Sequence, residues 1–141
     1  MKQILSLCRA LSDRNRLRIV AALVAHDELC ACQLTEMLAV SGATASRHLG
    51  VLLGCGLVVS RKAGRWVYYR LAEKDPDAEE FGQVLAWLKG EFGRSAEVAV
   101  DKERLQAITR CSPEEFCRHH RGKESTKNKK TAGEGGEIDN G

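Results

Sequence analysis

Apolar residues recur along the first 54 positions with a helical period. In "QILSLCRAL", Ile4, Leu7, Cys8 and Leu11 fall at i, i+3, i+4 and i+7, one stripe of a helix. Ser12 and Asp13 are caps for a second helix, "DRNRLRIVAALVAHDE", with Leu17, Val20, Ala21 and Val24 on one face. "CACQLTEMLA" predicts a short third helix with Leu34, Met37 and Leu38 inward. "VSGATASRHLGVLLGCG" predicts a fourth. Ser41 caps it, Ala45, Leu49, Leu52 and Leu53 form its apolar side, and Gly54 and Gly56 end it.

The period then changes from 3.6 to 2. "GLVVSRK" and "RWVYYRL" are β-rich runs separated by Ala63-Gly64, which reads as a hairpin. From Pro76 the helical period returns in "PDAEEFGQVLAWLKGEF", with Phe81, Val84, Leu85, Leu88 and Phe92 as its stripe. A further helical stretch, "DKERLQAITR", leads to "CSPEEFCRHH", where Ser112 and Glu115 match a capping box and Pro113 takes the first helical position. Beyond Gly122 the chain has one apolar aliphatic residue, Ile138, besides Ala132, and is expected to be disordered. The expected organisation is a winged helix-turn-helix domain for DNA binding and dimerisation at 1–95, a helical extension with Cys111 and Cys117 at 96–121, and a tail at 122–141. The fold class is mainly α with a small β-hairpin.

Two short helices joined by "AVSG" and followed by a hairpin suit a nucleic-acid reader. On the fourth helix, Ala43, Ser46, Arg47 and Gly50 lie opposite the apolar stripe. Small residues, hydroxyls and one guanidinium let a helix sit deep in a major groove. Ser41, Thr44 and His48 complete the candidate DNA-contacting set on this element. At the hairpin, Arg61, Lys62 and Arg65 crowd the turn, a positive tip suited to phosphates or a minor groove. Each feature alone also fits a solvated helix face or a charged hairpin end. Their order within one short domain favours double-stranded DNA as the partner.

Charge sharpens this reading. The net charge is +3, but residues 1–71 hold 10 Lys+Arg against 4 Asp+Glu, and residues 72–141 hold 12 against 15. The basic half is the half with the reading helix. The 141 residues allow one domain with one modest core. No secretory signal or membrane-spanning run is visible, so a cytoplasmic protein is expected. There the 6 cysteines are expected as reduced thiols, for metal binding, redox sensing or burial.

Cys30 and Cys32 raise the sharpest question. Residues two apart on a helix point about 200° apart. Cys30 continues the line of Leu34 and Leu38, so a core role suits it, but Cys32 cannot face the same way. A Cys-x-Cys disulfide would be strained. A soft, thiophilic ion fits both thiols better.

"ELCACQL", "SRHLGVLLGCGLV" and "RKAGRWVYYRL" resemble the ArsR/SmtB family of metal-responsive bacterial repressors, and the first motif resembles the arsenite- and antimonite-sensing branch. The likeness covers about residues 3–90. It implies a homodimer, joined through its first and fifth helices, that binds an operator without metal and leaves it when metal binds. It also implies As(III) or Sb(III) as inducer, with Cys30 and Cys32 as ligands. The family's arsenite motif often carries a third cysteine where this chain has Thr35. Water, Cys111 or Cys117 could complete the site. Cys111 and Cys117 lie near His119 and His120; they could also form their own metal or redox pair, or belong to a surface helix.

Gripping one ion with both sulfurs is expected to open the first turn of the third helix, because in extended backbone side chains two apart share a side. That helix braces the reading helix, so the distortion would disturb operator spacing. The position near a helix N-terminus favours thiolate. Cys8 is expected to pack at the interface and Cys55 to be structural. The family's zinc branch uses Asp and His on the fifth helix, which here has no histidine, and its cadmium branch adds thiols from a long N-terminal arm, of which little is visible. A thiol enzyme is disfavoured, since no Cys-x-x-Cys opens a βαβ unit and no Gly-rich phosphate loop is present. A repressor of the same fold triggered by thiol oxidation, or by another soft metal, is the alternative.

Overall fold

The computed structural model describes residues 1–74 and 79–116. Among the described residues six helices of eight residues or more run in chain order: α1 (Lys2–Leu11), α2 (Arg14–Ala25), α3 (Ala31–Leu38), α4 (Gly42–Gly54), α5 (Gly82–Phe92) and α6 (Ala96–Ile108). Three strands, β1 (Leu29–Cys30), β2 (Val58–Ala63) and β3 (Trp66–Leu71), form one antiparallel sheet in the order β1-β3-β2. Short 3₁₀ turns occupy Ala72–Lys74 and Glu79–Phe81. The mainly helical, winged architecture is the one expected.

Local chemistry explains the element ends. Asp13 caps α2 by accepting the N–H groups of Asn15 (2.8 Å) and Arg16 (3.2 Å). Ser41 caps α4 through the Thr44 N–H (3.2 Å). The hairpin turns at Gly64-Arg65, one residue later than the sequence suggests, with Gly64 at φ +61°, where a side chain would be strained. Pro76, the expected start of the fifth helix, lies outside the described residues; the α-helix itself begins at Gly82.

The third helix departs from expectation. Cys30 is not its first turn but its N-cap, extended at φ −82°, ψ 161°, and it belongs to β1. Leu29 pairs with Tyr69 and Cys30 with Tyr68, which makes the residues before α3 a third strand of the wing sheet. A two-residue strand has no period of its own, so pattern alone absorbs it into the helix that follows.

The core draws Leu23, Leu34, Met37, Leu49, Leu52 and Leu85 to near-complete burial between α2, α3, α4 and α5. The expected stripe of α2 is half the story. Ile19 and Leu23 are also fully buried in the core, while α6 packs on another face of α2, at Arg18, Ala21, Ala22 and Ala25. Arg18 of α2 grips both carboxylate oxygens of Asp101 at 2.8 Å, and Arg18 and Arg104 both donate to the Met37 carbonyl at 3.2 and 3.3 Å. These bonds fix α6 to α2 and to the C-terminal end of α3. After α6 the Ser112 hydroxyl oxygen accepts the Glu115 N–H (3.3 Å), and Phe116 packs on the main core. Cys117, His119, His120 and the 122–141 tail lie outside the described residues.

Candidate nucleic-acid interface and thiol site

The outer face of α4 is built by subtraction. Ala45, Leu49 and Leu52 are buried, and Leu53 is partly so. Ala43, Ser46, Arg47 and Gly50 are exposed on the opposite side, with Ser41 at the entrance. This is a narrow, small-residue face with one free-standing cationic arm in Arg47. Thr44 is half-buried and its hydroxyl takes a hydrogen bond from Ser41 (2.9 Å), so it shapes the helix start.

His48 is directed inward. Its Nδ1 lies 3.2 Å from the Arg16 guanidinium and 3.8 Å from Asp13. Arg16 also donates to the carbonyls of Ala10 (2.8 Å) and Arg9 (3.0 Å), which joins the end of α1 to the start of α2 and to the reading helix. Burial works against ionised Asp13, but the Arg16 N–H, His48 and the Asn15 N–H together hold its carboxyl below the usual value.

On the wing, Lys62 and Arg65 stand exposed at the tip. Arg61 is exposed too, but its side chain is engaged within the wing. Its guanidinium forks the Glu28 carboxylate (2.7 and 2.6 Å) and lies over the Tyr68 ring, 4.5 Å from its centre.

Both cysteines belong to one small cluster beside the wing. Cys30 (1% exposed) and Tyr68 form a small buried cluster on which Cys32, Ala63 and Trp66 pack. Cys32 is half-buried. Cys30 has an extended backbone and Cys32 lies in the first turn of α3. Gln33 closes the start of α3: its Oε1 accepts the Cys30 N–H at 2.9 Å, and its own N–H faces the Cys30 sulfur. Glu114, from the turn after α6, accepts the Tyr68 hydroxyl at 3.3 Å. Burial foremost, then the Glu114 carboxylate and the Cys30 sulfur, push the Tyr68 phenol up, against Arg61. Glu114 and the Gln33 cap are parts of this site that sequence reading missed.

Elsewhere, Cys55 is buried and its thiol donates to the Leu52 carbonyl (3.3 Å), which suits a structural role. Cys8 and Cys111 are exposed. Among the described residues, no three Cys, His, Asp or Glu side chains are grouped to hold one ion. Two sulfurs at one cluster still form a soft donor pair suited to a thiophilic ion.

A helix pair with an exposed small-residue face and a basic-tipped wing defines a DNA-binding transcriptional regulator of the winged helix-turn-helix class. Residues 13–60 match the family "Bacterial regulatory protein, arsR family". An arsenic resistance transcriptional regulator of Pseudomonas putida is 37% identical over 74% of this chain and 84% of its own length. The chain belongs to the ArsR family. The arsenical resistance operon repressor of Escherichia coli is 34% identical over 80% of this chain and 87% of its length. A cadmium resistance regulator of Listeria innocua is 51% identical over 43% of this chain and 51% of its length. A homodimeric winged helix-turn-helix DNA-binding domain from Mycobacterium bovis superposes with a TM-score of 0.53 at 27% identity, covering 62% of this chain and 76% of that one. These relatives are regulators of transcription, not enzymes. Among the described residues no helix is long and apolar enough to cross a membrane.

Proposed function

We propose that the chain represses an arsenic-resistance operon, binds its operator as a homodimer, and releases it when As(III) or Sb(III) binds Cys30 and Cys32. The observation that carries the reading is the packing of Cys32 on the buried Cys30–Tyr68 cluster at the start of α3, the helix that packs directly on α4. The arsenic-linked relatives favour the same inducer. Ser41, Ala43, Ser46 and Arg47 face the major groove, and Lys62 and Arg65 meet the phosphates.

The dimer would bury exposed apolar side chains on α1 and α5. Ile4 is 59%, Leu5 48% and Trp87 65% exposed. Such a stripe on two neighbouring helices is costly to leave in water.

The binding chemistry is an exchange at arsenic. Each cysteine thiol replaces one hydroxide of As(OH)3, forming an As–S bond, while its proton leaves with that hydroxide as water. Two exchanges leave one As–OH, which a third thiol, Cys111 or Cys117, could replace in the same way. Because Cys30 is already extended, bringing the two sulfurs to one ion requires only the first turn after it, at Ala31 and Cys32, to adjust. That movement would tilt α3 and, through its packing, α4.

The test is a titration of arsenite into the operator complex under reducing conditions, followed by fluorescence anisotropy. Release of the parent, with retention by Cys30→Ser and Cys32→Ser, is expected. Release of those variants like the parent removes the thiol assignment. Release by cadmium in place of arsenite favours the soft-metal reading suggested by the cadmium-linked relative. Release by diamide, with none by arsenite, favours oxidation as trigger.

A further inference from the structure

We propose that the thiol site speaks to the wing as well as to the reading helix, with Arg61 as the transmitting side chain. This rests on the metalloid-binding reading of Cys30 and Cys32. Three bonds tie the segment just before α3 to the wing. Cys30 is the cross-strand partner of Tyr68, and Tyr68 is in turn the partner of Arg61. The Arg61 guanidinium lies on the Tyr68 ring at 4.5 Å. Its donors then fork Glu28, two residues before Cys30, at 2.7 and 2.6 Å. Backbone ladder, stacking and ion pair thus close a loop through Glu28, Cys30, Tyr68 and Arg61.

The loop has a mechanical consequence. An ion that draws Cys30 toward Cys32 shifts a strand of the wing sheet, not a surface loop. Glu28 moves with that strand, and Arg61 is carried by both ends of the loop. Arg61 therefore acts as a positioning residue for β2, whose next residues lead to the Lys62 and Arg65 tip. The start of α3 is tied to the wing sheet through Cys30 and packs on α4, so one event there reaches both. A planar bidentate fork on a carboxylate transmits direction in a way that a lysine would not.

Glu28→Gln tests this, because it removes the charge from the fork while leaving size and the thiols unchanged. Three quantities are read in the full chain: arsenite bound per protomer by equilibrium dialysis, operator affinity without arsenite, and operator affinity with saturating arsenite. Allosteric couplings of this kind span about 5–150-fold. The expected result is unchanged arsenite stoichiometry, metal-free affinity equal to or above that of the parent, and an arsenite-induced loss at least about fivefold smaller than in the parent. Tyr68→Phe keeps the ring under Arg61 and is expected to release like the parent, whereas Tyr68→Leu is expected to behave like Glu28→Gln. Full release of Glu28→Gln with normal arsenite uptake overturns the wing coupling alone. Failure of the parent to take up arsenite removes the thiol site first, and the coupling with it.

Discussion

Truncating Asp101 is the sharpest test of how α3 is held. Asp101 is 6% and Arg18 13% exposed at the side chain, and both carboxylate oxygens lie 2.8 Å from the guanidinium. The Asp101 hydrogen bonds raise the Arg18 pKa further, against the opposing effect of burial. In Asp101→Ala the guanidinium keeps Asn15 Oδ1 at 3.0 Å and the Met37 carbonyl at 3.2 Å, with Glu97 at 3.7 Å. Removing one partner of a buried pair costs about 3–5 kcal/mol, and the surviving acceptors place this case near 3. At the usual unfolding entropy per residue, that lowers Tm by about 10–15 °C. The assay is urea and thermal unfolding at fixed protomer concentration, since the stability of the proposed dimer would depend on it. Replacing both partners, in Arg18→Met/Asp101→Leu, should return stability to within about 1 kcal/mol of the parent, because the desolvation cost goes with the charges. A loss below about 1 kcal/mol in Asp101→Ala would refute the claim that this ion pair fastens α6 to the DNA-reading core.

Arg47→Ala should weaken operator binding by about 1–3 kcal/mol while leaving the thermal midpoint within about 2 °C, since its side chain is exposed; anisotropy beside a melt separates the two. Ala39 closes α3 at φ +54°, the one non-glycine residue with positive φ among those described, so Ala39→Gly should stabilise the chain by about 0.5–1 kcal/mol in urea unfolding. Asp13 has a lowered pKa in the folded state, so its contribution is present above the ordinary carboxylate value and lost as pH falls through the folded value. Melts across the acid limb should therefore show a shallower loss for Asp13→Asn, which caps α2 without ionising, than for the parent.

What could be read from the sequence was local. Ser41 and Asp13 announce their helices because a cap acts on N–H groups two or three residues away. The stripe of α5 and the alternation of the wing carry their own periods. Pairings across long separations left no trace in pattern. Asp101 sits in "VDKERL", which reads as a solvated face, yet its partner Arg18 lies 83 positions earlier. The ion pair of Arg61 with Glu28, 33 positions away, could not be read from its place on the wing. His48 faces inward because Arg16 offers it a donor, a fact of the α2–α4 packing. The thiol pair was visible by composition, but its geometry was not, because β1 exists only through its pairing with β3.

The construction of α3 suggests why its start, and not its end, is the place for a switch. Eight residues are too few for an isolated helix to persist in water, so tertiary bonds must hold it. At its C-terminal end two guanidiniums meet the Met37 carbonyl. At its N-terminal end the cap position carries Cys30, where Ser, Asp or Asn would satisfy the N–H groups better. The chain follows capping preferences at Asp13, Ser41 and Ser95, whereas α3 has a cysteine at its cap, closed by the Gln33 capping box. Departures of that kind mark positions selected for chemistry over stability. With one end clamped by two guanidiniums and the other capped by a sulfur, the proposed ion at that sulfur would act on α3 at the end that also belongs to the wing sheet.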